Sequence, residues 1–223
     1  SLCGPLFACF AFSTSAFAAP KTPDADELLR AMARAEQKAE FYGVMTTNRR
    51  GAPGESVRVW RDGDKRRMEW LAPPVRKGDV LVDDGVNVWL YHREDNSAVQ
   101  TKSLRRARLE FADKAKTVGA GEASGRKAWI VELGRSNNRR RIWIDQATKI
   151  RLRAERLNKE GRAEAMALQS LDFGSVDKSR FVWKSPAGAS VTRTSGRLFV
   201  ALPAARKAAG WLRHPRVLPA GYT

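Results

Sequence analysis

From Phe41 onward, turn-forming residues cut the chain into runs of strand length, and this rhythm limits the fold more than any other feature. "FYGVMTT" is followed by Gly51-Ala52-Pro53-Gly54, then by "SVRVWRDG", "KRRMEWLAPP", "VLV", "VNVWLY" and "AVQTKS". Asp62-Gly63, Asp84-Gly85 and the prolines are the punctuation of hairpins. After a Gly-rich turn, "KAWIVEL", "RRRIWID", "KIRLRAERL" and "RAEAMALQSLDF" form a second series. Short strands at such even spacing predict an antiparallel meander. Two helices are expected beside it. "TPDADELLRAMARAEQKAE" has Asp24 and Glu27 at capping-box spacing, with Leu28, Met32, Ala35 and Ala39 on one face. "SLRRARLEFADKAK", from Ser103 to Lys116, sets Leu104, Ala107, Phe111 and Ala115 on one side.

The stretch "DDGVNVWLY" complicates a simple one-sided sheet. Its two strand faces would carry Val86, Val88 and Leu90 on one side, and Asn87, Trp89 and Tyr91 on the other. A half-buried strand is apolar on one face only. Trp89 and Tyr91 must therefore cover the sheet's back or meet a neighbouring domain or partner. On the other side, a strongly curved sheet offers a concave face that a helix plugs or an apolar ligand fills. With regular strands, Val57, Val59, Met68, Trp70, Val88, Leu90, Ile142, Ile144, Ile150 and Leu152 fall on that face. Val59, Met68, Trp70, Val88, Leu90, Ile142, Ile144 and Leu152 are the candidates for lining a lipid cavity.

Catalytic chemistry finds little material. The chain opens with "SLCGPLFACFAFSTSAFAAP", an uncharged apolar run with small residues at the positions a signal peptidase reads, so cleavage is expected after Ala18. Residues 1–18 are read as a truncated signal peptide and the protein as exported to the periplasm. Cys3 and Cys9 both lie in that leader, which leaves the mature chain without a thiol for disulfide, nucleophile or metal. The two histidines, His92 and His214, are far apart, and no HExxH, GxSxG or phosphate-binding Gly loop is present. No enzyme and no cofactor is expected.

Charge narrows the partners. The 41 Lys+Arg against 24 Asp+Glu give a formal net charge of +17, which attracts polyanions. Between Arg135 and Arg162 lie ten Lys/Arg and three acids. In "KIRLRAE", regular alternation sets Ile150, Leu152 and Ala154 against Arg151, Arg153 and Glu155. Arg139, Arg141, Arg151 and Arg153 are thus candidates for an outward basic surface. It is either a solvated sheet face or a docking surface for anionic headgroups or an acidic protein. An exported protein makes nucleic acid the weakest reading, and none is expected as partner. Beyond Phe181, "WKSPAGASVTRTSG" reads as a linker, with residues 182–223 holding it and the beginning of a small second domain.

The order of these motifs resembles a known superfamily. A capped helix leading into "FYGVMTT", then "DGDKRRMEWLAPP" and "DDGVNVWLY", are similar to the LolA-like lipoprotein carriers. "GRKAWIVEL", "RRRIWIDQATKIRLRAERLNKEGR" and the terminal "LPAGYT" resemble the MucB/RseB family of periplasmic sigma-E regulators within it. The resemblance implies an α+β, mainly antiparallel, curved half-barrel plugged by helices over residues 19–181, with an apolar cavity suited to acyl chains. It implies a partner, the periplasmic domain of a membrane-spanning anti-sigma factor, and a lipid or lipopolysaccharide-like ligand that releases it. The alternative it carries is a periplasmic carrier of lipoproteins or lipids.

Overall fold

The computed structural model describes residues 22–103, 114–134 and 139–194. The described residues start with helix α1 (Ala25–Lys38), continue through β1 (Glu40–Arg49), β2 (Glu55–Asp62), β3 (Lys65–Ala72), β4 (Val80–Asp83), β5 (Asn87–His92) and β6 (Ser97–Lys102), and resume with β7 (Ala115–Ala123). Then come β8 (Arg126–Leu133), β9 (Arg139–Asp145), β10 (Arg151–Asn158), β11 (Gly161–Asp172) and β12 (Ser190–Arg193). The twelve strands among the described residues join one open sheet in the order β12-β6-β5-β4-β3-β2-β1-β11-β10-β9-β8-β7. Every pairing is antiparallel except that of β12 with β6. The expected mainly antiparallel, curved half-barrel is what the chain forms, and it is not closed. The expected leader and the second expected helix, apart from its first residue and its last three, lie outside the described residues. Of that helix's end, Ala115 and Lys116 instead open strand β7.

The two meanders fuse through β1 and β11, which run antiparallel over most of β1. Gly43 permits this contact, because a Cβ there would stand 2.2 Å from the Ser170 carbonyl oxygen. The register shifts just beyond it, between Val44 and Met45. Asp24 caps α1 by accepting the Glu27 N–H at 2.9 Å, as its spacing predicts. Ala25, Leu28, Leu29 and Met32 then bury against Val131, Leu133, Ile142 and Ile144 of β8 and β9. The helix therefore covers one end of the sheet's inner face. A second cluster, Phe41, Val57, Val59, Trp70, Ile150 and Leu168, continues that face towards β3.

The back of the sheet answers the question raised by Tyr91. After β11 the chain turns under the sheet, and Val176 and Phe181 bury Trp60. Trp183 then meets Tyr91 with ring centroids 5.9 Å apart, and the Tyr91 hydroxyl donates to Asn96 Oδ1 at 3.0 Å. The stretch expected to be a linker continues as β12, laid parallel along β6. The chain beyond Phe181 stays on the sheet as far as Thr194, whose N–H donates to the Gln100 carbonyl at 2.9 Å.

Candidate functional site

The inner face of β2 to β6 is organised in rows that follow from the hairpin registers. One row runs Arg61, Arg66, Asp83, Val88, Thr101. Two residues further along each strand, the next row is Val59, Met68, Leu81, Leu90, Val99. Val57 and Trp70 stand opposite one another in a third. Val59 and Trp70 are buried, while Met68, Leu81, Val88 and Leu90 are half-buried and Val99 is 37% exposed. The face therefore grades from a packed floor near the helix to an accessible apolar strip at β4 to β6.

The sequence-derived cavity candidates divide accordingly. Val59, Met68 and Leu90 share one row, with Val88 and Trp70 in the rows on either side. Ile142 and Ile144 lie beneath α1 as part of its packing, not on the accessible strip. Leu152 is on the opposite face, in a cluster with Ala123, Ala128 and Trp143. The cause is a register shift between Arg151 and Arg153 against β9. A bulge of this kind places an extra residue on one strand and breaks the alternation that regular pleating requires.

The same bulge separates the basic candidates. Arg151 points inward, its Nε 3.5 Å from Glu36 on α1. Arg139, Arg141 and Arg153 lie on the outer face, where each meets an acid. Glu132 takes Arg139 at 3.2 Å and Arg141 at 2.9 Å. Hydrogen bonding from Arg141 holds the Glu132 carboxyl below its usual range against the opposing effect of burial. Glu155 pairs with Arg153 and, at 3.4 Å, with Arg162. Arg153 also stacks over Trp143, 4.8 Å from the ring centroid.

A cleft of about 800 Å³ lies where the C-terminus of α1 meets the turns after β2 and β4 and the end of β6. Its lining mixes Arg61, Lys65, Arg66 and Lys102 with Asp62, Asp64 and Asp83. Arg61 is 8% exposed and Glu36 4%. Arg61 donates to the Glu36 main-chain carbonyl, and at 3.1 Å to that of Gly63. Its guanidinium also stands 3.9 Å from the Glu36 carboxylate. A cation at a helix C-terminus complements the helix dipole. Sequence reading missed this corner, although counting outward from the Gly63-Asp64 turn pairs Arg61 with Arg66 and puts both in step with Val59 and Met68. Among the described residues, no three or more His, Cys, Asp or Glu side chains gather as metal ligands. No helix among them is long and apolar enough to cross a membrane.

No family model matches the chain, and neither does any curated protein. Solved structures do. An uncharacterized conserved protein from Thermus thermophilus aligns with a TM-score of 0.61 at 17% identity, over 76% of this chain and 98% of that one. MucB in the Pseudomonas aeruginosa MucA/MucB complex aligns with a TM-score of 0.59 at 17% identity, over 73% of this chain. A second complex, of MucB with MucA(peri), gives a TM-score of 0.56 at 17% identity over the same share. The chain spans 60–62% of the length of these MucB chains. At such identities the likeness shows a common fold.

Proposed function

We propose that this chain is a non-enzymatic, exported regulator of the MucB type. In this reading its half-barrel grips the periplasmic segment of a membrane-spanning anti-sigma factor, and a lipid-like ligand on the apolar inner strip modulates that grip. The observation that carries the proposal is the fold shared with MucB structures solved together with MucA, over 73% of this chain. The ligand part is supported by the half-buried Met68, Leu81 and Leu90 beside a cleft of about 800 Å³. Burying an acyl chain on such a strip contributes about 0.8 kcal/mol per CH₂. Arg139, Arg141 and Arg153 on the outer face are proposed as the surface that meets acidic protein or anionic headgroups. Export and a periplasmic location belong to the same proposal.

The test is an affinity capture of the protein from detergent-solubilised envelope of its own host, read by mass spectrometry. Recovery of a single-pass protein with a cytoplasmic sigma-binding domain is the expected result. A spread of acylated lipoproteins without such a protein would make the chain a lipoprotein carrier.

A further inference from the structure

The two ends of the open sheet are finished in different ways. At one end, β7 carries a register shift between Thr117 and Gly119, and Lys116 and Glu122 stand exposed on it. A bulge and charged side chains are how natural sheets discourage a further strand. At the other end, β6 pairs with β5 from Ser97 to Lys102 with no register shift. It contains no proline, and among the described residues its far side is covered by β12. β12 reaches only from Ser97 to Gln100, in a parallel pairing, the slightly weaker kind per residue. All four of its side chains are exposed, so it buries no apolar side chain against the sheet. Its start is tied down: Ser190 N–H donates to the Asn96 carbonyl at 3.1 Å, and Asn96 Nδ2 to that of Ala187 at 3.3 Å. Its other end, Arg193 and Thr194, rests on Gln100. The register also leaves a row unfinished. On the inner face the apolar row through Leu81 and Leu90 ends at Val99, 37% exposed, and the residue that β12 sets in register with it is Thr192.

We propose that β6 is a strand-addition edge for an extended segment of a protein partner, and that β12 is a weakly seated strand which this segment replaces. β12 itself shows that the edge accepts a strand in this geometry. A longer strand pairs with all six residues of β6, where β12 pairs with four. An apolar residue in the place of Thr192 buries Val99 and lengthens the apolar row, and an acid beyond the position of Gln100 meets Lys102. The partner is therefore an extended peptide with alternating apolar residues and an acidic end: its main chain supplies affinity and its alternate side chains specificity. Segments with few buried apolar contacts open at the lowest cost, so β12 peels from Thr194 backwards while its start stays tied at Asn96. This deepens the reading above by giving the anti-sigma segment a place on the fold, and rests on that reading for the partner's identity alone.

The test uses a fluorescein-labelled heptapeptide that alternates threonine with valine and ends in glutamate, titrated with the full chain and read by fluorescence anisotropy. It is expected to bind, and the same peptide with proline at its centre, which interrupts a ladder, is expected not to. Thr192→Val, which improves the fit of β12 beside Val99, should weaken peptide binding about threefold, the worth of one cross-strand pair. Thr192→Pro removes the ladder position midway between the donors Ser190 and Thr194. It should tighten binding at least about tenfold, because an edge open for a larger fraction of the time binds with proportionally higher apparent affinity. Binding that neither substitution changes would put the peptide elsewhere on the protein. A weaker complex with Thr192→Pro would mean that the peptide adds to the outer edge of β12. Either result overturns the proposal, as does a heptapeptide that binds none of the three chains. Thr192→Val keeps the test decisive even if the proline variant folds poorly. None of these failures touches the regulator reading, which depends on the single-pass protein recovered from the envelope. Absence of that protein would remove the partner's identity and leave the edge.

Discussion

Asp145, at the turn between β9 and β10, is 1% exposed and fully engaged. Arg126 reaches its two oxygens at 2.9 and 3.0 Å, and Thr148 donates its N–H and hydroxyl, both at 2.7 Å. Burial pushes this carboxyl up, but the hydrogen bonds from Arg126 and Thr148 together hold it below its usual value. A group whose folded pKa is lowered stabilises the fold fully above its unfolded pKa, and that contribution disappears as pH falls through the folded one. The protein should therefore lose stability in acid, below the ordinary carboxylate range. Asp145→Asn should cost about 2 kcal/mol at neutral pH, the scale of hydrogen bonds to a charged group. The variant should also show a shallower acid limb in urea unfolding followed from neutral to acid pH. An unchanged acid limb would mean that other carboxylates govern acid unfolding.

At the level of elements, the strands and α1 were legible because turn residues and hydrophobic periods are local signals. The capping at Asp24 and the parity of Val88 and Leu90 carry over directly into the fold. Two features were not legible, for physical reasons. The bulge between Arg151 and Arg153 depends on how β10 meets β9, and nothing in "KIRLRAE" records it. That is why Leu152 and Arg151 sit on faces opposite to those that alternation gives. β12 escaped because all four of its side chains are exposed, so its residues carry no apolar period. It is held by main-chain pairing and by Arg193 Nε donating to Gln100 Oε1 at 3.1 Å. The face assignment makes a paired prediction. Leu152, with 0% exposure, should cost about 3 kcal/mol on substitution by alanine, yet leave binding of dodecyl maltoside, a probe of the apolar inner strip, unchanged. Leu90→Ala, at a half-buried site, should cost about 1 kcal/mol and weaken that binding. Urea unfolding and a dodecyl maltoside titration followed by tryptophan fluorescence read both. Equal loss of binding in the two variants would place Leu152 on the ligand face and refute the bulge's consequence.

The whole molecule carries a net charge of +17, and ion pairing on its outer face redistributes that charge without removing it. Glu132 is shared by Arg139 and Arg141, and Glu155 by Arg153 and Arg162. Each of these acids neutralises one of its two arginines, so each cluster keeps about one positive charge although every arginine in it has a partner. Glu155 is buried and Glu132 largely so, but the side chains of Arg139 and Arg162 are exposed, and each acid keeps its other arginine when they are removed, so these two arginines contribute little to stability. Replacing Arg139 and Arg162 together by glutamine removes the surplus from each cluster and keeps the Glu132–Arg141 and Glu155–Arg153 pairs. Stability should then change by no more than about 0.5 kcal/mol. Attraction to an anionic bilayer, at about 1 kcal/mol for each basic residue near the surface, should fall by about 2 kcal/mol, roughly thirtyfold in affinity. Cosedimentation with phosphatidylglycerol vesicles at low salt measures this, with phosphatidylcholine vesicles as the uncharged comparison. Because screening at physiological ionic strength acts over about 8 Å, the difference between the original and the double variant should shrink as salt rises. Binding that ignores both the substitutions and the salt would make this face a solvated ladder of ion pairs.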